Sequence, residues 1–254
     1  MSLRIAYAGD RDIAVWVLDF ILSQGVQPLA LLLPDPVKAS HTEALLQRCR
    51  FLSPERIFYG KAFSLPESIG QLQSLDLDYI VCVHFPCIIP KEVLCIPKVG
   101  VVNLHPAYLP YNRGWHTPSW AILENTPYGA TLHFMDEGVD TGDIIHQKRL
   151  VILPEDTADT LYQRVKQLEL EVFKEAWEWL LSRKPPRIPQ ALHEGTFHRK
   201  SDLSKIQEID LQQQIRAGEL INRLRALTTN RIEEACYFTI EGRRYRVQVR
   251  ITPE

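Results

Sequence analysis

Residues 3–22 read LRIAYAGDRDIAVWVLDFIL, and this stretch sets the fold class. Its apolar run Leu3–Ala8 ends at Gly9-Asp10-Arg11, which predicts a buried strand followed by a tight turn. Apolar residues then recur at helical spacing through Ile13–Leu22, which predicts a helix. A strand, a turn and a helix in this order are the first half of a parallel β-α-β unit.

The same alternation continues along the chain. Apolar runs predict further strands at 28–33, 57–59, 79–83, 100–104, 128–135 and 144–152, and helical spacing predicts helices at 41–50 and 157–181. Strands that alternate with helices indicate a parallel sheet with right-handed crossovers. We therefore predict an α/β fold with a doubly wound, mostly parallel sheet.

The remaining residues predict a small α+β subdomain. Pro185-Pro186 end the long helix, since proline cannot continue one. A helix is expected at Leu211–Leu227, and a β-hairpin follows with strands Tyr237–Ile240 and Arg243–Ile251. We expect a catalytic domain at 1–190 and a C-terminal subdomain at 191–254.

Composition indicates a globular, cytoplasmic protein. Of 254 residues, 45% are hydrophobic, and 29 Lys and Arg balance 31 Asp and Glu, so extensive nucleic-acid binding is not expected. No stretch predicts a signal peptide or a membrane span. The five cysteines include no C-x-x-C pair, so neither a disulfide framework nor a metal site is expected.

Polar residues at the predicted strand ends are candidates for chemistry. Asn103 and His105 are two apart at the end of a buried strand, so their side chains share a face on the edge where α/β sheets bind ligands. Asp140 follows the next long strand, and a carboxylate can orient an imidazole. Capping of a turn by Asn103, a loop role for His105 and a solvated turn for Asp140 are the alternatives.

Two long motifs carry a family resemblance. Residues 103–118 read NLHPAYLPYNRGWHTP and continue through Trp120–Ile122, and residues 129–145 read GATLHFMDEGVDTGDII. In this order and separation they resemble the two signatures of the folate-dependent formyltransferases. The resemblance is strong over about residues 75–150 and extends to the first 75 residues only in topology.

The resemblance implies that the chain is an N-formyltransferase whose donor is 10-formyltetrahydrofolate, with no metal. Asn103 would donate its amide to the oxygen that becomes negative as the formyl carbon turns tetrahedral. His105 would act as a base, or as an imidazolium that stabilises that oxygen. Asp140 would orient His105 and pass protons.

The folate is expected along residues 84–89 and under the loop 135–140, by similarity to family members. The implied cofactor-binding residues are Phe85, Pro86, Cys87, Ile88, Asp136, Gly138, Val139 and Asp140. Phe85 and Ile88 could equally be core residues.

Three classes of acceptor amine occur in this family: an initiator methionyl-tRNA, a glycinamide ribonucleotide and a nucleotide-linked amino sugar. The nearly neutral charge and the short C-terminal part disfavour tRNA, and Gly9–Asp12 is not a glycine-rich phosphate loop. Residues 197–203, 210–211 and 217–227 instead resemble the tail of sugar N-formyltransferases. The expected acceptor is a dTDP-4-amino-4,6-dideoxyhexose, in lipopolysaccharide biosynthesis.

By the same similarity, eight residues are expected to bind the acceptor: Arg11, His84, Trp115, His116, Arg199, Lys200, Asn222 and Arg225. A solvated basic face is the alternative for the arginines and Lys200. The C-terminal hairpin is expected to form a homodimer, or else to cover the sheet. A formyltetrahydrofolate hydrolase and a binding module without catalysis remain alternative functions.

Overall fold

The computed structural model describes residues 3–37 and 39–254 of the chain, and these form two compact units. The first unit contains the residues up to His105 together with Thr131–Gln147 and Glu169–Gln190. The second contains Pro106–Ala130, Lys148–Leu168 and Ala191–Glu254. Each unit is therefore built from segments that are separated in sequence.

A seven-stranded sheet organises the first unit. Its strands are β1 (Ile5–Gly9), β2 (Ala30–Leu33), β3 (Ile57–Tyr59), β4 (Tyr79–Val83), β5 (Gly100–His105), β7 (Gly129–Phe134) and β8 (Ile144–Arg149). They lie in the order β3-β2-β1-β4-β5-β7-β8. The five strands from β3 to β5 are parallel, and β7 is antiparallel to β5.

Helices connect these strands. They are α1 (Arg11–Ser23), α2 (Thr42–Arg48), α3 (Pro66–Ser74) and α4 (Lys91–Leu94), followed later in the chain by α6 (Ala158–Glu175) and α7 (Trp177–Leu181). Helix α1 buries the apolar stripe that its spacing predicted. Strands β1, β2 and β4 are buried along their whole length, as strands covered on both faces should be.

The turn from β1 into α1 depends on close packing. A Cβ atom added to Gly9 would lie 2.8 Å from the Cβ of Ala14, so only glycine fits at this position. The next residue, Asp10, is buried, and its Oδ1 accepts hydrogen bonds from the Ser40 backbone N–H (2.9 Å) and from the Ser40 hydroxyl (3.0 Å). These contacts fix the carboxyl end of β1.

The second unit contains short elements: α5 (Thr117–Glu124), β6 (Arg113–Gly114), β9 (Phe197–His198), α8 (Ala217–Ala226), β10 (Cys236–Ile240) and β11 (Arg243–Val247). Strand β6 pairs in parallel with β9, and β10 forms an antiparallel hairpin with β11. Gly114 has φ 92°, and an added Cβ would collide with the His198 carbonyl oxygen, so β6 approaches β9 closely only with glycine there.

The predicted α/β fold with a mostly parallel sheet and a C-terminal hairpin is confirmed. The single helix predicted at 157–181 is two helices, because the N–H of Trp179 bonds to the Ala176 carbonyl three residues back. The helix predicted from Leu211 begins only at Ala217, because the Asp210 side chain and carbonyl accept the Gln212 and Gln213 N–H groups in a turn. The hairpin ends at Val247 rather than at residue 251.

Two further observations concern the described part of the chain. It contains no helix that is long and apolar enough to cross a membrane. Nor does it contain a cluster of three or more His, Cys, Asp and Glu side chains that could hold a metal ion. The division into a catalytic domain at 1–190 and a C-terminal subdomain at 191–254 stays a prediction.

Candidate active site

The carboxyl ends of β1, β4 and β5 lie side by side in the first unit. Gly9 is paired with Val83, and Val83 is paired with Leu104, so Arg11, His84 and His105 follow at one edge of the sheet. Arg11 (φ 68°) and His84 (φ 50°) have left-handed backbone conformations, which non-glycine residues rarely adopt. Such strained positions cluster at functional sites, where surrounding structure holds them in place.

Asn103, His105 and Asp140 converge at this edge. The Asn103 Nδ2 lies 3.5 Å from Asp140 Oδ1, and His105 Nε2 lies 3.6 Å from Asp140 Oδ2. The Asp140 carboxylate therefore faces the amide with one oxygen and the imidazole with the other. Both distances exceed those of a strong hydrogen bond, and catalytic contacts often tighten only when substrate binds.

A fourth residue, His133, completes this cluster and was missed in the sequence. It is paired with Asn103 across β5 and β7, and its Nε2 lies 3.2 Å from the Asn103 amide nitrogen. Its Nδ1 lies 2.7 Å from the Phe134 carbonyl oxygen, so Nδ1 carries the proton and Nε2 accepts from Asn103. Burial lowers the pKa of His133 to about 4, so the ring is neutral near pH 7.

His133 therefore fixes the orientation of the Asn103 amide, because only the NH₂ end of the amide can donate to Nε2. The signal for this residue was present in the sequence. Thr131 and His133 are two polar residues, two positions apart, in an otherwise apolar and fully buried strand. Residues two apart share a face of the strand, and that face meets Asn103 and His105.

Hydrogen bonds from within the loop and from Gln190 hold the loop that carries Asp140. Asp140 has φ 52°, a left-handed conformation that aspartate tolerates better than most residues. The Gln190 side-chain amide donates to the carbonyl oxygens of Asp140 (3.0 Å) and Gly142 (2.6 Å). Asp136 Oδ1 accepts from the Gly138 N–H (2.9 Å) and the Thr141 hydroxyl (2.5 Å).

The predicted folate segment after β4 has both buried and exposed side chains. The Phe85 ring packs edge-on against Phe63 with centroids 5.7 Å apart, and the Cys87 thiol donates to the Gly60 carbonyl at 3.6 Å. Phe85 and Cys87 thus pack against the core. Pro86 and Ile88 are exposed, and Ile88 keeps 89% of its surface accessible.

The two loops predicted to hold the folate lie next to each other. Lys91, in α4, forms a 2.6 Å ion pair with Glu137, in the loop after β7. Val139 in that loop is half exposed, so each loop presents an apolar side chain to its surroundings. Val139 directly precedes Asp140, so one of these exposed apolar side chains belongs to the loop that carries the carboxylate of the cluster.

A buried, hydrogen-bonded pair of side chains lies at the same edge. His84 Nε2 is 2.8 Å from Oε1 of Glu169, a residue of α6, and both side chains are almost fully buried. Glu169 Oε2 has no hydrogen-bond partner among the residues that the structure describes. Glu169 was not predicted from the sequence, although a carboxylate on the apolar stripe between Val165 and Val172 was a signal.

Within the second unit, Trp115 and Lys200 come together. The pairing of β6 with β9 brings them close, and the Lys200 ammonium lies 5.0 Å from the Trp115 ring centroid. Trp115 keeps 40% of its surface exposed. His116, with φ 58°, lies 4.0 Å from Glu234, and burial lowers its pKa.

The other predicted acceptor residues of the second unit have internal partners. The Arg199 backbone N–H donates to Asp202 Oδ2 at 2.7 Å, a contact that leaves the role of its guanidinium in acceptor binding a prediction. The Arg225 guanidinium donates to Asn222 Oδ1 and to the carbonyl oxygens of Leu153, Pro154 and Asp156, all within 3.1 Å. Arg225 and Asn222 therefore brace the loop after β8, and their role in acceptor binding stays a prediction.

The sequence matches two family models. Residues 35–177 match the model described as formyl transferase, which covers more than half of the chain. Residues 202–253 match the model described as the N-formyltransferase dimerization C-terminal domain. The chain is also 32% identical over 194 residues to the methionyl-tRNA formyltransferase of Geobacter sulfurreducens, an alignment that covers 74% of this chain and 61% of that protein.

A second relative is the dTDP-4-amino-4,6-dideoxyglucose formyltransferase of Mycobacterium tuberculosis, with 31% identity over 69% of this chain and 75% of that protein. Among solved structures, a sugar N-formyltransferase from a Shewanella species aligns over 99% of both chains with a TM-score of 0.84 at 20% identity. The N-formyltransferase of Helicobacter canadensis in complex with folinic acid and dTDP-3-aminofucose aligns over 94% of this chain and 85% of that chain, with a TM-score of 0.66 at 23% identity. At these identities the structures show a shared fold.

Proposed function

This chain belongs to the formyl transferase family, and we propose that it transfers the formyl group of 10-formyltetrahydrofolate to the amine of a nucleotide-linked sugar, a dTDP-4-amino-4,6-dideoxyhexose. The observation that carries the proposal is the convergence of Asn103, His105 and Asp140 on one point of the sheet edge. An amide donor, an imidazole and a carboxylate are the groups that acyl transfer to an amine requires.

In the proposed reaction the acceptor nitrogen attacks the formyl carbon, and the formyl oxygen becomes negative. Asn103 donates to that oxygen the amide N–H that faces Asp140 in the free protein, while its other N–H stays on His133 Nε2. His105 and Asp140 then move a proton from the acceptor nitrogen to N10 of the folate. The bond from N10 to the formyl carbon breaks, which releases tetrahydrofolate and the formamido sugar.

The donor is proposed to lie on the loops after β4 and β7. Ile88 and Val139 present exposed apolar surface there, and the pair Lys91–Glu137 joins the two loops. A flat pterin ring would cover such apolar side chains, while backbone groups of the loops satisfy its polar edge. The proposed donor residues are therefore those predicted from the sequence, with Phe85 and Cys87 supporting the loop from the core side.

For the acceptor, the second unit supplies Trp115 beside Lys200. A nucleobase can stack on an exposed tryptophan, and an ammonium beside it can meet a phosphate. A role for Arg11 and His84 in acceptor binding stays a prediction from the sequence. The similarity to a dTDP-amino-sugar formyltransferase supports the sugar class.

Methionyl-tRNA is the second candidate acceptor, because several relatives are methionyl-tRNA formyltransferases at comparable identity. The chain spans about three fifths of the length of these relatives. Its 29 Lys and Arg against 31 Asp and Glu give no excess of positive charge for a tRNA. The amino sugar is therefore the favoured acceptor.

The C-terminal subdomain at 191–254 is proposed to form a homodimer. Its match to a dimerization domain supports this, as do the exposed apolar residues Ile240 and Tyr245 on the β10–β11 hairpin. Sedimentation velocity tests the proposal. We expect a mass of two chains for the wild type and a shift towards one chain for Tyr245→Asp, and a monomeric wild type would contradict it.

The proposed reaction is tested by release of tetrahydrofolate from 10-formyltetrahydrofolate with each acceptor in turn. We expect release with a dTDP-4-amino-4,6-dideoxyhexose and none with glycinamide ribonucleotide. Release without any acceptor would indicate a hydrolase, and release only with methionyl-tRNA would support the second candidate. Tight binding of donor and nucleotide sugar without turnover would refute an enzymatic function.

A further inference from the structure

The segment 187–190 follows α7 within the first unit and packs against the end of β7 and the start of β8. Ile188 exchanges both backbone hydrogen bonds with Ile144, at 2.8 and 3.0 Å. The Arg187 guanidinium lies over the ring of Phe134, 3.6 Å from its centroid. These contacts fix the backbone of the segment against the sheet.

Gln190, the last residue of this segment, bridges the loop after β7. Its Nε2 donates to the carbonyl oxygens of Asp140 (3.0 Å) and Gly142 (2.6 Å), on either side of Thr141. An amide NH₂ has two N–H groups, so each carbonyl oxygen can accept one of them. The reverse orientation would place the amide oxygen against two carbonyl oxygens, so these partners fix the orientation of the amide. The buried Oε1 of Gln190 has no hydrogen-bond partner among the residues that the structure describes.

The backbone conformation at Asp140 requires such restraints. Its φ of 52° is left-handed, and a non-glycine residue keeps that conformation only where the surrounding structure holds it. The contacts of the Asp140 carboxylate with Asn103 (3.5 Å) and His105 (3.6 Å) are longer than both bonds from Gln190. The Gln190 amide therefore restrains the loop backbone more strongly than Asn103 and His105 restrain the carboxylate.

We propose that Gln190 is a positioning residue for the formyl transfer: its two bonds to the loop backbone keep the Asp140 carboxylate between Asn103 and His105. The inference rests on the function proposed above. A displacement of about 1 Å at a reacting group can lower the rate about a hundredfold. Gln190 acts through Asp140, so its effect on the rate disappears when the Asp140 carboxylate is itself removed.

Two substitutions and their combination separate this role from a purely structural one. Gln190→Met keeps the length of the side chain and removes both donors. Asp140→Asn keeps the shape of the carboxylate and removes its charge. Gln207→Met is the matched control, because the Gln207 amide also donates to two backbone carbonyl oxygens, those of Glu233 (2.7 Å) and Ala235 (3.4 Å), within the second unit.

The experiment measures three quantities for each protein: the single-turnover rate of formyl transfer at saturating donor and dTDP-amino sugar, the half-saturating concentration of each, and the unfolding temperature. We expect Gln190→Met to lower the rate about tenfold to a hundredfold, with the half-saturating acceptor concentration changed less than about twofold. In the Asp140→Asn background the same substitution should change the rate less than about twofold, because residues that act as a unit are not additive. Gln207→Met should lower the unfolding temperature about as much as Gln190→Met and keep the wild-type rate.

Three results would overturn the inference and leave the proposed function in place. A wild-type rate in Gln190→Met would show that the two bonds do not serve the reaction. An equal loss in the wild-type and Asp140→Asn backgrounds would show that Gln190 supports the fold and does not act through Asp140. A rate loss in Gln207→Met as large as that in Gln190→Met would attribute both losses to lower stability. A wild type that formylates no amino-sugar nucleotide would instead remove the proposed function, and the inference with it.

Discussion

Replacing Asn103 tests the electrostatic part of the mechanism. Its amide is held between His133 Nε2 at 3.2 Å and Asp140 Oδ1 at 3.5 Å, so it is oriented before substrate arrives. Removal of one such pre-oriented donor typically lowers kcat by about a hundredfold to a thousandfold, or about 3 to 4 kcal/mol. We expect Asn103→Ala to show this loss in kcat with little change in the binding of donor or acceptor.

A second substitution at this site sharpens the test. Asn103→Asp keeps the shape but places a carboxylate about 3.5 Å from that of Asp140. Two like charges at that distance repel by about 5 kcal/mol at an effective dielectric constant of 20. The Asp variant should therefore be less active than the Ala variant at pH 7.

The assay is single-turnover release of tetrahydrofolate, with binding of folinic acid and of the dTDP-amino sugar measured by calorimetry. Asn230→Ala, at an exposed asparagine in the second unit, is the control and should behave as wild type. Unchanged kcat with weakened binding in Asn103→Ala would refute the oxyanion role. An Asp variant as active as wild type would refute the charge argument.

Three further predictions follow from burial and contacts. Burial lowers the pKa of His133 to about 4, so as the pH falls the imidazole is protonated in the unfolded chain before it is protonated in the folded protein, and up to about 3 kcal/mol of stability is lost from about pH 6.5 to 4. His133→Gln should lose less stability than wild type over that range in urea unfolding. An equal loss in the two proteins would contradict this prediction. Ile88→Ser should raise KM for the donor severalfold without changing KM for the acceptor, whereas Val151→Ser, also exposed, should change neither. Arg225→Lys should lower the free energy of unfolding by about 1.5 to 3 kcal/mol, because hydrogen bonds to backbone carbonyls are lost. Unchanged stability with a raised KM for the nucleotide sugar would contradict this structural role and support acceptor binding by Arg225.

The fold was largely readable from the sequence because its strands are buried on both faces. Apolar runs such as Tyr79–Val83 and Gly100–Leu104 correspond to strands with nearly the same bounds. Helix ends were less predictable. The Asp210 turn replaces the first residues of the helix expected at Leu211–Leu227, and a side chain that captures backbone N–H groups leaves no periodic signal.

The candidate site was predicted in part. Asn103, His105 and Asp140 stand out as polar residues at the ends of strands and in a glycine-bounded loop, and the structure brings them together. His133 and Glu169 lie inside regular elements, where a polar residue is usually interpreted by its periodicity alone. Their roles depend on pairing between segments distant in sequence, which local patterns do not encode.

The most direct test of the proposed function follows the formyl carbon itself. The enzyme is incubated with 10-formyltetrahydrofolate labelled with ¹³C in the formyl group and with a dTDP-4-amino-4,6-dideoxyhexose, and the nucleotide sugar is analysed by mass spectrometry and NMR. We predict a labelled formamide on the sugar nitrogen in wild type and its near absence in Asn103→Ala. Label found only as free formate, or an equal yield from the Asn103 variant, would contradict the account.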